Sequence, residues 1–157
     1  MSKNVVRAHA GGWDNIAREG YREGVAGVVR HTLVGARKMH AGDPGPAIEM
    51  RYFEVAPGAA TRLEKHEHEH IVIVGAGHGY AIIGTELHEL GPRDVVYVGP
   101  LVPHQFVARD ETFGFFCAVS AVRDFSQELS AQEIDALRAS DAGPYIQPDA
   151  FRERVSV

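Results

Sequence analysis

An all-β barrel or sandwich is the fold class this sequence predicts, and three observations predict it. The apolar segments are short and rich in Val, Ile, Phe and Tyr, clusters of glycine and proline separate them, and helical periodicity is confined to the C-terminal end. Strands are expected at Val25 to Val34, Ile48 to Val55, Ile71 to Val74, Tyr80 to Ile83, Val95 to Val98 and Phe113 to Val122. The breaks fall at Gly42-Asp43-Pro44-Gly45-Pro46, Pro57-Gly58, Gly75-Ala76-Gly77, Gly91-Pro92 and Gly99-Pro100. Short strands at this spacing pack as a sandwich or close into a barrel.

The elements follow in order. Residues 1–24 are polar and weakly patterned and read as an N-terminal arm, and residues 25–125 carry the strands and form the barrel domain. Residues 126–157 are expected to form a short helix and a tail packed on the barrel. There Ser130-Ala131-Gln132-Glu133 reads as a capping box, with Ser130 as N-cap and Glu133 at N3. Ile134 and Leu137 then recur at helical spacing until Gly143-Pro144 stops the segment. The last strand is apolar on both faces, with Phe113, Phe115, Cys117 and Val119 on one and Phe116 and Ala118 on the other. A strand buried on one side alone alternates with polar residues, so the second face needs cover. The arm, the helix or a second copy of the chain supplies it, and a homodimer is expected.

Composition narrows the function. The chain has 157 residues, enough for one domain, and its 45% apolar and 24% charged residues place it among ordinary globular proteins. Sixteen Lys and Arg against 21 Asp and Glu leave a formal charge of −5, and no basic run interrupts it. Nucleic acid and anionic membrane are therefore poor partners. The one cysteine, Cys117, cannot make an intramolecular disulfide, and no segment reads as a signal peptide or a membrane span. A soluble cytoplasmic protein is expected.

The chemistry concentrates in Leu63-Glu64-Lys65-His66-Glu67-His68-Glu69-His70, which runs straight into Ile-Val-Ile-Val. Of nine histidines in the chain, three lie within five positions here. Side chains two apart on a strand share a face, so Glu64, His66, His68 and His70 are all candidates for one side. Imidazoles clustered with a carboxylate are the donors of a metal site; the alternative is a solvated hairpin whose His and Glu neutralise each other. Two residues of strand span about 6.6 Å, but six span roughly 20 Å. Three ligands from this segment to one ion therefore require a bulge or bend within it.

Arg51 shares a face with Phe53 and Val55, the inner side of a strand by alternation. A buried guanidinium needs a partner, and a structural acid is expected ahead of a carboxylate-bearing ligand. His9, His31, His40, His78 and His88 are scattered and read as surface or turn residues, with His78 in a hairpin turn. Cys117 reads as core.

Two stretches resemble the conserved motifs of the cupin superfamily. Pro57-Gly58, the Glu/His cluster, the apolar strand and Gly77-His78-Gly79 resemble the first motif. Gly91-Pro92-Arg93-Asp94, Val95 to Val98 and Pro103-His104 resemble the second, and the likeness covers roughly residues 48–122. The resemblance implies a double-stranded β-helix, the cupin jelly-roll barrel, with an N-terminal arm and a short C-terminal helix. The family's first motif places ligands at a position, two on and six on, with a glycine seven beyond the last. Set on Gly77, that pattern implies Glu64, His66 and His70 as metal ligands, with His104 from the second motif as the fourth. Glu64 stands where the family more often has His, and Ala108 stands where it has Asn. His68 then falls on the bulge, at the barrel rim; it and the inward-facing Arg51 are candidate substrate contacts. The resemblance also allows Cys117 to face the metal chamber.

Three imidazoles and one carboxylate imply one divalent transition metal per chain: Fe, Mn, Ni, Cu or Zn. By analogy with the family, the chain is expected to be a metal-dependent dioxygenase or lyase/isomerase. Its substrate would be a small oxygenated or acidic compound. The alternative is a non-catalytic, metal-dependent binding or sensing module. No helix-turn-helix pattern is present to make it a transcriptional sensor.

Overall fold

Buried and exposed side chains alternate along Ile48–Val55, with Glu49, Arg51, Phe53 and Val55 pointing inward, and this alternation builds one face of the main sheet. A computed structural model describes residues 4–148, in eleven strands and one α-helix. The strands are β1 (Ala8–His9), β2 (Gly12–Trp13), β3 (Glu19–Arg22), β4 (Val25–Val34), β5 (Ile48–Val55), β6 (His70–Ala76), β7 (Gly79–Ile83), β8 (Glu86–Leu90), β9 (Val95–Val98), β10 (His104–Ala108) and β11 (Phe113–Ser120); α1 is Ala131–Arg138. Six strands form one sheet in the order β3-β4-β5-β11-β6-β9, three form a second in the order β10-β7-β8, and β1-β2 is a separate hairpin. Two sheets enclose the core, so the jelly-roll expectation holds.

All six expected strands are present, and five more appear, two of them in the small sheet. Glu86–Leu90 is too polar to read as a strand, yet it pairs with β7 across a two-residue turn, Ile83 opposite Glu86. His104–Ala108 is buried at every position. It pairs with β7 on one side, while Ala60 and Glu64 bridge to Val107 and His104 on the other. Segment 60–64 thus lies along β10 as an irregular strand, which sets Glu64 beside His104.

Packing follows the two inner faces. Val28, Phe53, Val72, Val74, Phe106 and Phe115 belong to the main cluster between the sheets. A second cluster, with Leu63, Ile82, Val107 and Leu137, seats α1 against the small sheet. Both arms of the capping box form: Ser130 Oγ accepts from the Glu133 N–H at 3.2 Å, and Glu133 Oε2 accepts from the Ser130 N–H at 2.8 Å. Ser130→Ala is expected to cost about 1 kcal/mol in urea denaturation. An unchanged midpoint would show that α1 is held by Leu137 alone.

Two sequence expectations need correction. Gly77-His78 is not a hairpin turn: it carries the chain from β6 in the large sheet to β7 in the small one. Gly77 makes this corner at φ +71°, and a Cβ there would run into the Thr112 carbonyl oxygen. His31 is not a surface residue but is 1% exposed, with Nε2 3.2 Å from Glu54 and its ring against Trp13. Trp13 also packs on Tyr52 and Phe116, so the N-terminal arm covers the outer face of β5 and β11. That cover accounts for the apolar second face of the last strand over Phe116. No helix among the described residues is long and apolar enough to cross a membrane.

Candidate metal centre

The Glu/His segment bends at Glu67 and His68 before β6 begins at His70. Asp124 fixes the bend from 56 residues away: its carboxylate accepts the Glu67 N–H at 2.7 Å and the His68 N–H at 3.0 Å. It also lies 2.7 Å from His68 Nδ1. Partial burial raises the Asp124 carboxyl, but these donors outweigh it and hold the group down at about 2. Burial takes His68 the other way, to about 4, so its ring is neutral beside an ionised carboxylate.

With the chain bent, the ring nitrogens of His66, His70 and His104 lie within 4.8 Å of one another. His66 Nδ1 donates to the His68 carbonyl at 2.7 Å and His104 Nδ1 to the Val102 carbonyl at 2.9 Å. Both rings therefore carry a lone pair on Nε2, the tautomer that outer hydrogen bonds select in metal ligands. Burial lowers all three imidazoles, His70 furthest, where crowding by His104 and His66 adds to it. Neutral imidazole is the ligating form. His70 Nε2 stands 2.7 Å from His66 Nε2, a separation at which two lone pairs need a proton or a cation between them. His70 Nδ1 meets Cys117 Sγ at 2.9 Å, and burial pushes that thiol up, so it stays protonated. The donor chemistry and the convergence of the three rings both fit a bound metal.

Glu64 stands outside this group of three. It is buried, and its Oε2 makes no hydrogen bond while lying 3.6 Å from Arg22 and 3.9 Å from Arg62. His68 is outside as well: its ring stacks on His66 at 3.6 Å between centroids and is turned to Asp124. Both residues line a cavity of about 520 Å³ that also holds His70, His104, Arg51 and Cys117 on its wall. That volume suits a small organic molecule. Arg51 does face inward, yet the described residues place no structural acid beside it, and Glu49 is taken by Arg123 at 2.7 Å.

Comparison with known proteins agrees with this geometry. Residues 51–118 match the model of the cupin domain. A solved cupin-2 domain from Rhodospirillum rubrum superposes with a TM-score of 0.73 at 34% identity, over 84% of this chain and 87% of that one. The chain belongs to the cupin superfamily. A second cupin, a conserved barrel domain protein from Rhodopseudomonas palustris, gives a TM-score of 0.76 at 32% identity, covering 90% and 97% of the two chains. This cupin is also 42% identical over 95 residues to the 1-methylthio-D-xylulose 5-phosphate methylsulfurylase of Rhodospirillum rubrum. The match covers 60% of this chain and 61% of that enzyme's length.

Sequence reasoning missed Asp124 and the pair formed by Glu49 and Arg123. Nothing in local pattern marks them, since each acts across a long loop of chain. A faint signal exists for Asp124: it directly follows the last apolar strand, where a chain leaving a barrel crosses the rim.

Proposed function

We propose that this cupin is a metal-dependent enzyme acting on a small oxygenated or acidic molecule. His66, His70 and His104 would be its imidazole ligands, and Glu64 the carboxylate of the set. The convergence of three neutral imidazoles on one point, two of them buried and His70 half-buried, carries this reading. One divalent transition metal, Fe, Mn, Ni, Cu or Zn, would supply Lewis acidity to substrate oxygens or a site for dioxygen. Arg51 and His68 are the proposed substrate-facing side chains of the wall, and Asp124 fixes the direction of the His68 ring. A wall this rich in oriented polar groups beyond the ligand set favours conversion over simple binding. The name of the Rhodospirillum rubrum relative supports an oxygenated small molecule as substrate; a dioxygenase or lyase/isomerase reaction is the proposed chemistry. The free thiol of Cys117 suits the cytoplasm, and the net charge of −5 suits neither nucleic acid nor membrane.

Metal analysis of protein purified without chelators or nickel resin tests the proposal, followed by oxygen-electrode screening with catechols, thiols and dicarbonyls. About one metal per chain is expected. Metal-free protein that takes up none of the five ions would sink it, and turnover without oxygen uptake selects lyase or isomerase.

A homodimer belongs to the same proposal. Trp13 leaves the outer face of β6 and β9 uncovered, where Ile71 lies opposite Tyr97 and Ile73 opposite Val95, all four exposed. Two copies of one apolar face meeting about a two-fold axis would bury it. Light scattering is expected to give twice the 17.1 kDa chain mass, and a monomer at micromolar concentration would remove the claim.

A further inference from the structure

The chamber is cationic in an acidic protein. Six arginines line it (22, 30, 37, 51, 62 and 123) against four carboxylates, Glu23, Glu49, Glu64 and Asp124. Most of these guanidinium groups are engaged. Arg22 and Arg62 flank Glu64, Arg30 pairs with Glu19 at 3.1 Å, and Arg123 pairs with Glu49. Arg37 donates to the carbonyls of Arg123 and Asp124 at 2.9 and 2.7 Å and lies over the Phe125 ring.

Arg51 is different. It is 8% exposed, and no carboxylate among the described residues lies within 4.0 Å of it. Its Nε is buried and makes no hydrogen bond. Its contacts are Cys117 Sγ at 3.4 Å and the Phe53 ring at 5.1 Å, a thiol and a quadrupole where a full counter-charge is needed. Leaving a charge buried and uncompensated is among the costliest arrangements in a folded protein. The same Cys117 sulfur touches His70, so this guanidinium stands one side chain away from the candidate metal ligands.

We propose that the chamber takes a small organic anion and that Arg51 is the anchor for its carboxylate or phosphate group. The proposal deepens the enzymatic reading above and rests on it for the location of the chemistry. A planar guanidinium with forked donors matches either oxyanion in a bidentate pair, and the bound anion completes the charge that the protein leaves open. The anion then sits beside the atoms of the same molecule that face His66, His70 and His104. Neutral molecules of the same size are rejected, because they would leave Arg51 buried and unpaired.

Thermal unfolding of metal-free protein tests this, with inorganic phosphate, malonate and neutral glycerol as probes. A saturable rise in Tm is expected for at least one anion and none for glycerol, since a ligand of the folded state stabilises it by mass action. The larger of the two shifts says whether phosphate or carboxylate is the group recognised. In Arg51→Met the saturable shift should vanish, while the anion-free Tm stays level or rises because an uncompensated charge has gone. If Arg51→Met fails to fold, Arg51→Lys decides: it keeps the charge but loses the fork, so anion affinity should fall roughly tenfold. Equal shifts in wild type and Arg51→Met would mark general salting-out by these anions and overturn the proposal, as would affinity unchanged in Arg51→Lys. Absence of any saturable shift overturns it too. The metal reading fails separately: an Arg51-dependent shift in protein that binds no metal leaves the anion site standing alone.

Discussion

Alanine at His66, His70 or His104 is expected to abolish stoichiometric metal binding, whereas His68→Ala should retain it. The first three present ring nitrogens within 4.8 Å of one another, so losing one removes a ligand directly. His68 contributes differently. Its carbonyl holds His66 Nδ1 at 2.7 Å and its ring stacks on His66, so it orients a ligand without being one. Its replacement leaves the carbonyl in place and should weaken binding by at most the roughly 10- to 100-fold typical of groups behind the ligands. Glu64→Ala should lower affinity further than His68→Ala, because Glu64 Oε2 is a buried acceptor with no hydrogen bond to lose and a cation to gain. Metal content by mass spectrometry after dialysis checks all five variants. Metal lost in His68→Ala, with full occupancy in Glu64→Ala, would establish His66, His68, His70 and His104 as the ligands and overturn this set.

The barrel was legible because it rests on local patterns. Alternation along Ile48–Val55 and the continuous apolar run after His70 are properties of neighbours in sequence, and both became strands. The capping box at Ser130 is equally local, and it formed as read. Glu86–Leu90 was illegible because its stability comes from pairing with Tyr80 and its neighbours, not from its own composition. His31 was misread for the same reason: burial under Trp13 comes from the arm folding back, which no periodicity in Val25–Val34 encodes. At the site, spacing announced a bend between His66 and His70, but the group that holds it lies beyond β11. Arg51 shows a subtler limit. Alternation placed it indoors correctly, while its missing acid could only be seen once Glu49 was found committed to Arg123.

Asp124→Ala is expected to destabilise the metal-free protein by about 2–3 kcal/mol and to weaken metal binding by roughly 10- to 100-fold, although Asp124 touches none of the three clustered imidazoles. One carboxylate satisfies two consecutive backbone N–H groups and the His68 ring, and hydrogen bonds to an ionised acceptor contribute more than neutral ones. Glu67 is exposed, so water takes over part of what is lost, which keeps the cost below the sum of three such bonds. The bend is what brings His66 and His70 together, and a looser bend pays its ordering entropy at the moment the metal binds. Asp124→Asn, which keeps an oxygen acceptor without the charge, should lose about half as much in stability. Urea denaturation gives the first quantity and competition against a chelator dye the second. Wild-type values for both in Asp124→Ala would show that the bend is held by its own sequence. A loss of stability with metal affinity intact would mean that His66 and His70 converge independently of it.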